Sequence, residues 1–112
     1  MPLPRARGGD RGGIYAFGNV TVDFRKMEAE KAGVPIRLSV RELEVLRYLI
    51  SQEGDVVTRE MLLDKVWGYE NFPTTRTVDN YILSIRKKIE TDPAHPAHLL
   101  TMHTAGYKFV KG

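Results

Sequence analysis

Residues 75–90 place an amide, a hydroxyl and several cations at helical spacing. At about 100° per residue, Asn80, Leu83, Ser84 and Lys87 lie on the side of such a helix that also holds Arg76. An amide can pair with adenine, an aliphatic tip can contact a thymine methyl group, and cations can reach guanine or phosphates. The pattern therefore indicates a nucleic-acid-binding face with Asn80, Leu83, Ser84 and Lys87 as candidates for reading bases.

The opposite side of this helix is apolar. Ile82, Ile85 and Ile89 fall within about 40° of Val78, which is typical of a helix face buried in a core. The alternative is an ordinary surface helix with a solvated charged face. The surrounding pattern favours the binding helix, because a short helix, a turn and a longer basic helix, followed by a hairpin, are typical of a helix-turn-helix with a wing.

The elements that position this helix follow from hydrophobic periodicity. Apolar residues alternate over 15–38, which predicts a small antiparallel meander. Ser39 and Glu42 have the spacing of a capping box ahead of leucines at helical intervals, so a first helix is predicted over about 40–52.

The remaining elements are predicted from their caps and turns. Thr58 can cap a short second helix that ends near Trp67, and the third helix is predicted over about 75–90. The last segment is rich in β-formers around Ala105-Gly106, which predicts a hairpin over about 99–110.

Length and composition indicate one domain. The chain has 112 residues and 42% hydrophobic content, enough for a single core. Residues 1–13 are rich in glycine, proline and arginine, so we interpret them as a flexible linker before a domain over 14–112. Cysteine is absent, which excludes disulfides and thiolate metal sites. No apolar stretch approaches the length of a membrane span, and we expect a cytoplasmic protein.

The charge is unevenly distributed along the chain. Residues 75–112 carry a net charge of +3, whereas residues 14–74 carry −2. A basic face on an otherwise acidic body is typical of a module that binds a polyanion, with solvated surface lysines as the alternative.

Catalytic and metal-binding patterns are missing from the sequence. There is no phosphate loop, no nucleophile elbow and no carboxylate pair whose spacing suggests a cleft. His95 and His98 lie in a proline-broken loop without a convincing third ligand. We therefore expect no enzyme activity, no metal and no cofactor.

Four stretches in order carry a family resemblance, namely LSVRELEVLRYLI, VVTREMLLDKVWG, RTVDNYILSIRKKI and TMHTAGYKF. With these motifs the chain resembles the OmpR/PhoB class of response-regulator effector domains over residues 14–110. The resemblance implies an α+β winged helix-turn-helix with an N-terminal four-stranded antiparallel sheet, three helices and a C-terminal β-hairpin wing. It also implies sequence-specific binding of double-stranded DNA and regulation of transcription, with the helix over 75–90 in the major groove and the wing near the minor groove.

The same resemblance implies roles for single residues. Asn80 and Ser84 match positions that face bases. Phosphate contacts are expected from the residues at matching positions and from the basic flank of the helix: Trp67, Arg76, Thr77, Tyr81, Arg86, Lys88 and Tyr107. For Trp67, core packing is the leading interpretation and the phosphate contact is secondary. Asp79 is expected to be a local partner of Arg76 or a structural anchor.

The sequence departs from the family pattern at two places. Relatives often have basic residues where this chain has Leu83 and Ser84, so we expect no arginine readout of guanine there and a site that is rich in A·T pairs. In the wing, His103-Thr104 replaces the usual Arg-Gly. Three wing residues are kept as DNA-contact candidates: Thr101, His103 and Lys108.

The resemblance also implies partners. The loop before the third helix, Tyr69, Glu70, Asn71 and Phe72, corresponds to one associated with RNA polymerase contact, and a loop that packs its own aromatics is the alternative. Family members carry a receiver domain that is phosphorylated by a sensor kinase, so we expect an effector domain excised from a longer protein, with a free-standing regulator as the alternative. It is expected to be a monomer in isolation and a head-to-tail dimer on DNA. The competing function is a winged-helix module that contacts only proteins.

Overall fold

The chain begins with a sheet of four short strands. The computed structural model describes residues 13–68 and 73–112. Its first strands are β1 (Ile14–Phe17), β2 (Val20–Asp23), β3 (Glu28–Lys31) and β4 (Val34–Ile36), and each pairs antiparallel with the next. The predicted meander and four-stranded sheet are therefore confirmed. The predicted linker over 1–13 lies, apart from Gly13, outside the described residues.

Helix α1 (Val40–Ser51) shares a hydrophobic core with this sheet. Its capping box is formed as predicted: the Ser39 hydroxyl accepts from the Glu42 amide at 3.1 Å, and the Glu42 carboxylate accepts from the Ser39 amide at 2.8 Å. Two orphan amides of the first turn are thereby satisfied, which stabilises the start of the helix.

The helix-turn-helix begins after the short strand β5 (Val56–Val57). Thr58 caps α2 (Arg59–Leu62), which continues into a π-helical turn over Leu63–Trp67 that the sequence pattern does not predict. The Gly68 amide closes that turn on the Leu63 carbonyl at 2.8 Å. Helix α3 (Thr75–Ile89) follows, close to its predicted bounds.

The wing is the hairpin of β6 (Leu99–Met102) and β7 (Gly106–Phe109), and β5 extends it to three strands in the order β5-β7-β6. Gly106 has a φ of +141°, and a Cβ at this position would overlap the Val57 carbonyl. Glycine is therefore required where the wing passes β5.

One core joins all these elements. Strands β1 to β3, the three helices and the wing each contribute buried apolar side chains, among them Phe17, Val22, Leu46, Leu62, Ile82 and Phe109. This packing fixes α3 against α1, α2 and the wing, so its outward face is presented on a rigid frame. None of the helices in the described ranges combines the length and hydropathy needed to cross a membrane.

Candidate nucleic-acid interface

Helix α3 divides into a buried stripe and an exposed face, as its periodicity predicts. Val78, Ile82, Ile85 and Ile89 are at most 1% exposed. The side chains on the opposite face reach solvent: Arg76, Asn80, Leu83 and Lys87. Leu83 keeps 53% of its surface exposed although it is apolar. The face thus offers an amide, an aliphatic tip and two cations without competing partners among the described residues, a combination suited to base edges and phosphates.

Ser84 and Lys88 turn from this face towards α1. The Ser84 hydroxyl donates to Glu42 Oε2, and the Lys88 ammonium donates to Glu42 Oε1 at 2.7 Å. Burial opposes the ionisation of Glu42, but the hydrogen bonds from Lys88, Ser84 and Ser39 outweigh it and hold the pKa of this carboxyl below its ordinary value. Both α3 residues are therefore oriented by a buried carboxylate, and their predicted DNA contacts stay predictions.

Asp79 links α3 to α2 and the wing. Its Oδ1 accepts from Arg59 Nε at 2.7 Å and from the Tyr107 hydroxyl at 2.5 Å. Burial works against ionisation here as well, yet these two donors lower the pKa of Asp79. The expected anchoring role of Asp79 is confirmed, but its partners lie on other elements and not at Arg76.

Tyr107 is therefore engaged inside the protein. It is 5% exposed, and the guanidinium of Arg59 lies 5.0 Å from its ring centroid. Burial and the adjacent Asp79 carboxylate raise the pKa of Tyr107, so its hydroxyl keeps the proton that it donates. This position favours an orienting role over the phosphate contact that the sequence predicts.

Arg86 differs most from its predicted position. Only 9% of it is exposed, whereas a free phosphate anchor would reach solvent. Its Nε donates to the Leu99 carbonyl at 2.9 Å and one terminal nitrogen donates to Thr101 Oγ1 at 2.8 Å, both on β6. Arg86 therefore ties α3 to the wing, and its predicted phosphate contact is not favoured by this placement.

An aromatic cluster closes the N-terminal half of α3. Trp67 is 6% exposed and meets the half-buried Tyr81 edge-on, with ring centroids 5.3 Å apart. The Arg41 guanidinium lies 5.3 Å from the Trp67 ring centroid and donates to the Val66 carbonyl at 2.6 Å. The core packing expected for Trp67 is confirmed, and Tyr81 keeps a partly exposed position beside the α3 face.

The wing residues differ in accessibility. Thr101 and His103 are exposed, and Lys108 is half-buried. His103 adopts a positive φ of 52° in the turn between β6 and β7. At the start of α3, Arg76 is exposed and Thr77 is half-buried, with its hydroxyl oxygen accepting from the Thr74 amide at 3.3 Å. Arg76, Thr101 and His103 are therefore accessible to a ligand, whereas Thr77 and Lys108 are only partly so.

Two other predictions concern loops. The loop of Tyr69, Glu70, Asn71 and Phe72 lies outside the described residues, and its contact with RNA polymerase stays a prediction. The two histidines are engaged separately: His95 with Asp92 at 3.0 Å, and His98 with the Val110 carbonyl at 3.0 Å.

Sequence reasoning did not identify two residues that organise this face. Glu42 is recognised from the sequence only as a capping residue, and Arg59 not at all. Lys88, the α3 partner of Glu42, lies 46 residues away in sequence, and Asp79, the α3 partner of Arg59, lies 20 residues away. No local spacing therefore reveals these contacts.

Comparison with known proteins shows similarity over most of the chain. Residues 33–109 match the family model described as "Transcriptional regulatory protein, C terminal". The sensory transduction protein RegX3 of Mycolicibacterium smegmatis is 40% identical over 96 residues, which cover 86% of this chain and 42% of that protein. RegX3 of Mycobacterium tuberculosis is 38% identical over 107 residues, which cover 91% of this chain and 47% of that protein. The chain thus spans about half the length of the curated relatives it matches.

Solved structures show the same arrangement of elements. The response regulator DrrB, a Thermotoga maritima OmpR/PhoB homologue, is 39% identical with a TM-score of 0.80, covering 88% of this chain and 44% of that one. The Klebsiella pneumoniae RstA DNA-binding domain, solved in complex with the RstA box, is 26% identical with a TM-score of 0.77. The match covers 88% of this chain and 98% of that one.

Proposed function

The chain belongs to the family of C-terminal domains of transcriptional regulatory proteins, and from that premise we propose that it binds specific sequences of double-stranded DNA and thereby regulates transcription. Helix α3 would enter the major groove, and the wing over 99–110 would lie near the minor groove. This family is one of transcription regulators and is not an enzyme class. The protein would act in the cytoplasm, where bacterial DNA is found.

The outward face of α3 carries this proposal. Four side chains suited to base edges and phosphates are exposed, while the stripe on the other side is completely buried. The RstA relative was solved with a DNA box, which supports the same use of a shared fold. The cores of protein–protein interfaces are depleted of charged side chains, whereas Arg76 and Lys87 lie exposed on this face and only Leu83 is apolar.

The proposed contacts divide by accessibility. Asn80, Leu83, Ser84 and Lys87 would read bases, and Arg76, Thr77, Tyr81 and Lys88 would hold phosphates. The wing candidates are Thr101, His103 and Lys108. Trp67, Arg86 and Tyr107 would act mainly through packing, because each is buried against other elements.

The relatives suggest a larger protein. RegX3 is named a sensory transduction protein and DrrB a response regulator, and both are about twice as long as this chain. We infer that this domain works as the effector half of a response regulator, with a receiver domain, a sensor kinase and RNA polymerase as partners. On DNA it would form a head-to-tail dimer.

The experiment is a binding titration with duplexes selected from a random pool, measured by fluorescence anisotropy at several salt concentrations. Three neutralised phosphates would lower the affinity about 40-fold between roughly 50 and 200 mM salt. Arg76→Ala should reduce the slope of log affinity against log salt by about one. Lys26→Ala, which removes an exposed cation of the N-terminal sheet, is the matched control and should leave the slope unchanged. An affinity independent of salt would exclude the proposal.

A further inference from the structure

The Glu42 carboxylate receives three hydrogen bonds, two of which come from α3 and one from the cap of α1. Oε1 accepts from the Ser39 amide at 2.8 Å and from the Lys88 ammonium at 2.7 Å, and Oε2 accepts from the Ser84 hydroxyl. Glu42 is 3% exposed, so water does not compete for these oxygens. Ser84 is half-buried and lies one helical turn after the base-reading candidate Asn80.

An ionised carboxylate can only accept hydrogen bonds, so the single proton of the Ser84 hydroxyl is committed to Glu42. The hydroxyl then has only lone pairs left for the exposed side of α3. A free serine can donate or accept and pairs with any base, whereas an oriented serine can only accept.

We propose that Glu42 is a specificity-determining positioning residue, which makes Ser84 an acceptor that selects adenine or cytosine at one position of the DNA site. The inference rests on the proposed DNA binding. In the major groove only the adenine N6 and cytosine N4 amino groups are donors, while guanine N7 and O6 and thymine O4 are acceptors. An acceptor hydroxyl therefore pairs with adenine or cytosine and is repelled by guanine and thymine.

Glu42→Gln should reverse this selection. The Ser39 amide and the Lys88 ammonium both donate at Oε1, so the amide oxygen of the glutamine occupies that position. Its amino group then faces Ser84 and donates to the hydroxyl oxygen. The serine proton becomes available to the groove, where it can pair with guanine or thymine.

The test is a base-by-base binding profile on duplexes selected by the parent protein, with thermal melts to establish that each variant is folded. Ser84→Ala identifies the position that the serine reads, because the preference there should fall about fivefold or more. Ser84→Thr, which keeps the hydroxyl, should retain the parental base preference at that position. Glu42→Gln should shift that position towards guanine or thymine, and Glu44→Gln, the same change at an exposed glutamate of α1, should not.

The outcomes separate this inference from the function on which it rests. If the parent binds no duplex, the proposed function itself fails. If the parent binds specifically but Ser84→Ala changes no position, or the position that it changes prefers guanine or thymine in the parent, the inference is overturned. A folded Glu42→Gln variant with the parental profile overturns it as well. If Glu42→Gln unfolds, the test is the base that the parent prefers at the position where Ser84→Ala loses discrimination. Adenine or cytosine there supports the inference, and guanine or thymine overturns it.

Discussion

Arg86→Ala should destabilise the domain, in contrast to the same substitution at the exposed Arg76. It removes the hydrogen bonds to the Leu99 carbonyl and Thr101 Oγ1, and it leaves a buried carbonyl without this donor. Hydrogen bonds of charged groups contribute about 1.5 to 3 kcal/mol each, and the cost of burying the guanidinium offsets part of that. We expect a net loss of about 2 to 3 kcal/mol.

For a domain of this size that loss corresponds to a decrease in melting temperature of about 10 to 20 °C. Thermal unfolding followed by circular dichroism measures it. Arg76→Ala should change stability by no more than about 0.5 kcal/mol, because it alters only the surface. Arg86→Lys keeps the charge but loses the guanidinium fork, so it should melt close to Arg86→Ala.

An Arg86→Ala variant that melts within about 2 °C of the parent, or an Arg86→Lys variant with the parental melting temperature, would contradict this prediction. The first result would mean that the two contacts with β6 contribute little to stability, and the second that the charge of Arg86, and not its guanidinium geometry, is what the domain requires.

Two further predictions concern acid and the core. The folded pKa values of Glu42 and Asp79 are lowered, so their stabilisation is complete above the unfolded values, at roughly pH 4, and is lost as the pH falls towards the folded values. Thermal melts from pH 7 to 3 should show this loss of stability below about pH 4.5. In a Glu42→Gln, Asp79→Asn double variant the melting temperature should fall less steeply with pH. An equal dependence on pH in the parent and the variant would contradict the role of these two carboxylates. Ile85→Ala should cost about 2 to 5 kcal/mol by denaturant unfolding, with DNA affinity unchanged at temperatures where the variant stays folded. Intact stability, or a changed base preference, would show that this side chain is not buried.

The sequence predicts the elements well because local rules control them. The capping box at Ser39 and Glu42 sets the start of α1, and the isoleucine stripe determines which side of α3 is buried. Periodicity also identifies Asn80 and Leu83 as outward-facing residues. All these features depend on residues within a few positions of one another.

The flanks of α3 could not be predicted in the same way. Helical spacing places Ser84 on the outward face and Arg86 at its edge, but it does not show which neighbouring element reaches them. Arg86 can bury its aliphatic stem and still satisfy its guanidinium on β6, a choice that depends on where the hairpin lies. The π-helical turn before Gly68 is missed for a similar reason, since it has no periodic signature.

The central claim, that the exposed face of α3 reads bases, is tested most directly by the base-by-base binding profile of Asn80→Ala beside its thermal melt. Asn80 is exposed, and a good base contact contributes about 1 to 3 kcal/mol of discrimination. We expect the base preference of Asn80→Ala to fall by that amount at one base position, while its non-specific affinity and melting temperature stay at parental values. An unchanged profile, or a melting temperature lowered by about 10 °C or more, would mean that α3 presents a different face to the DNA.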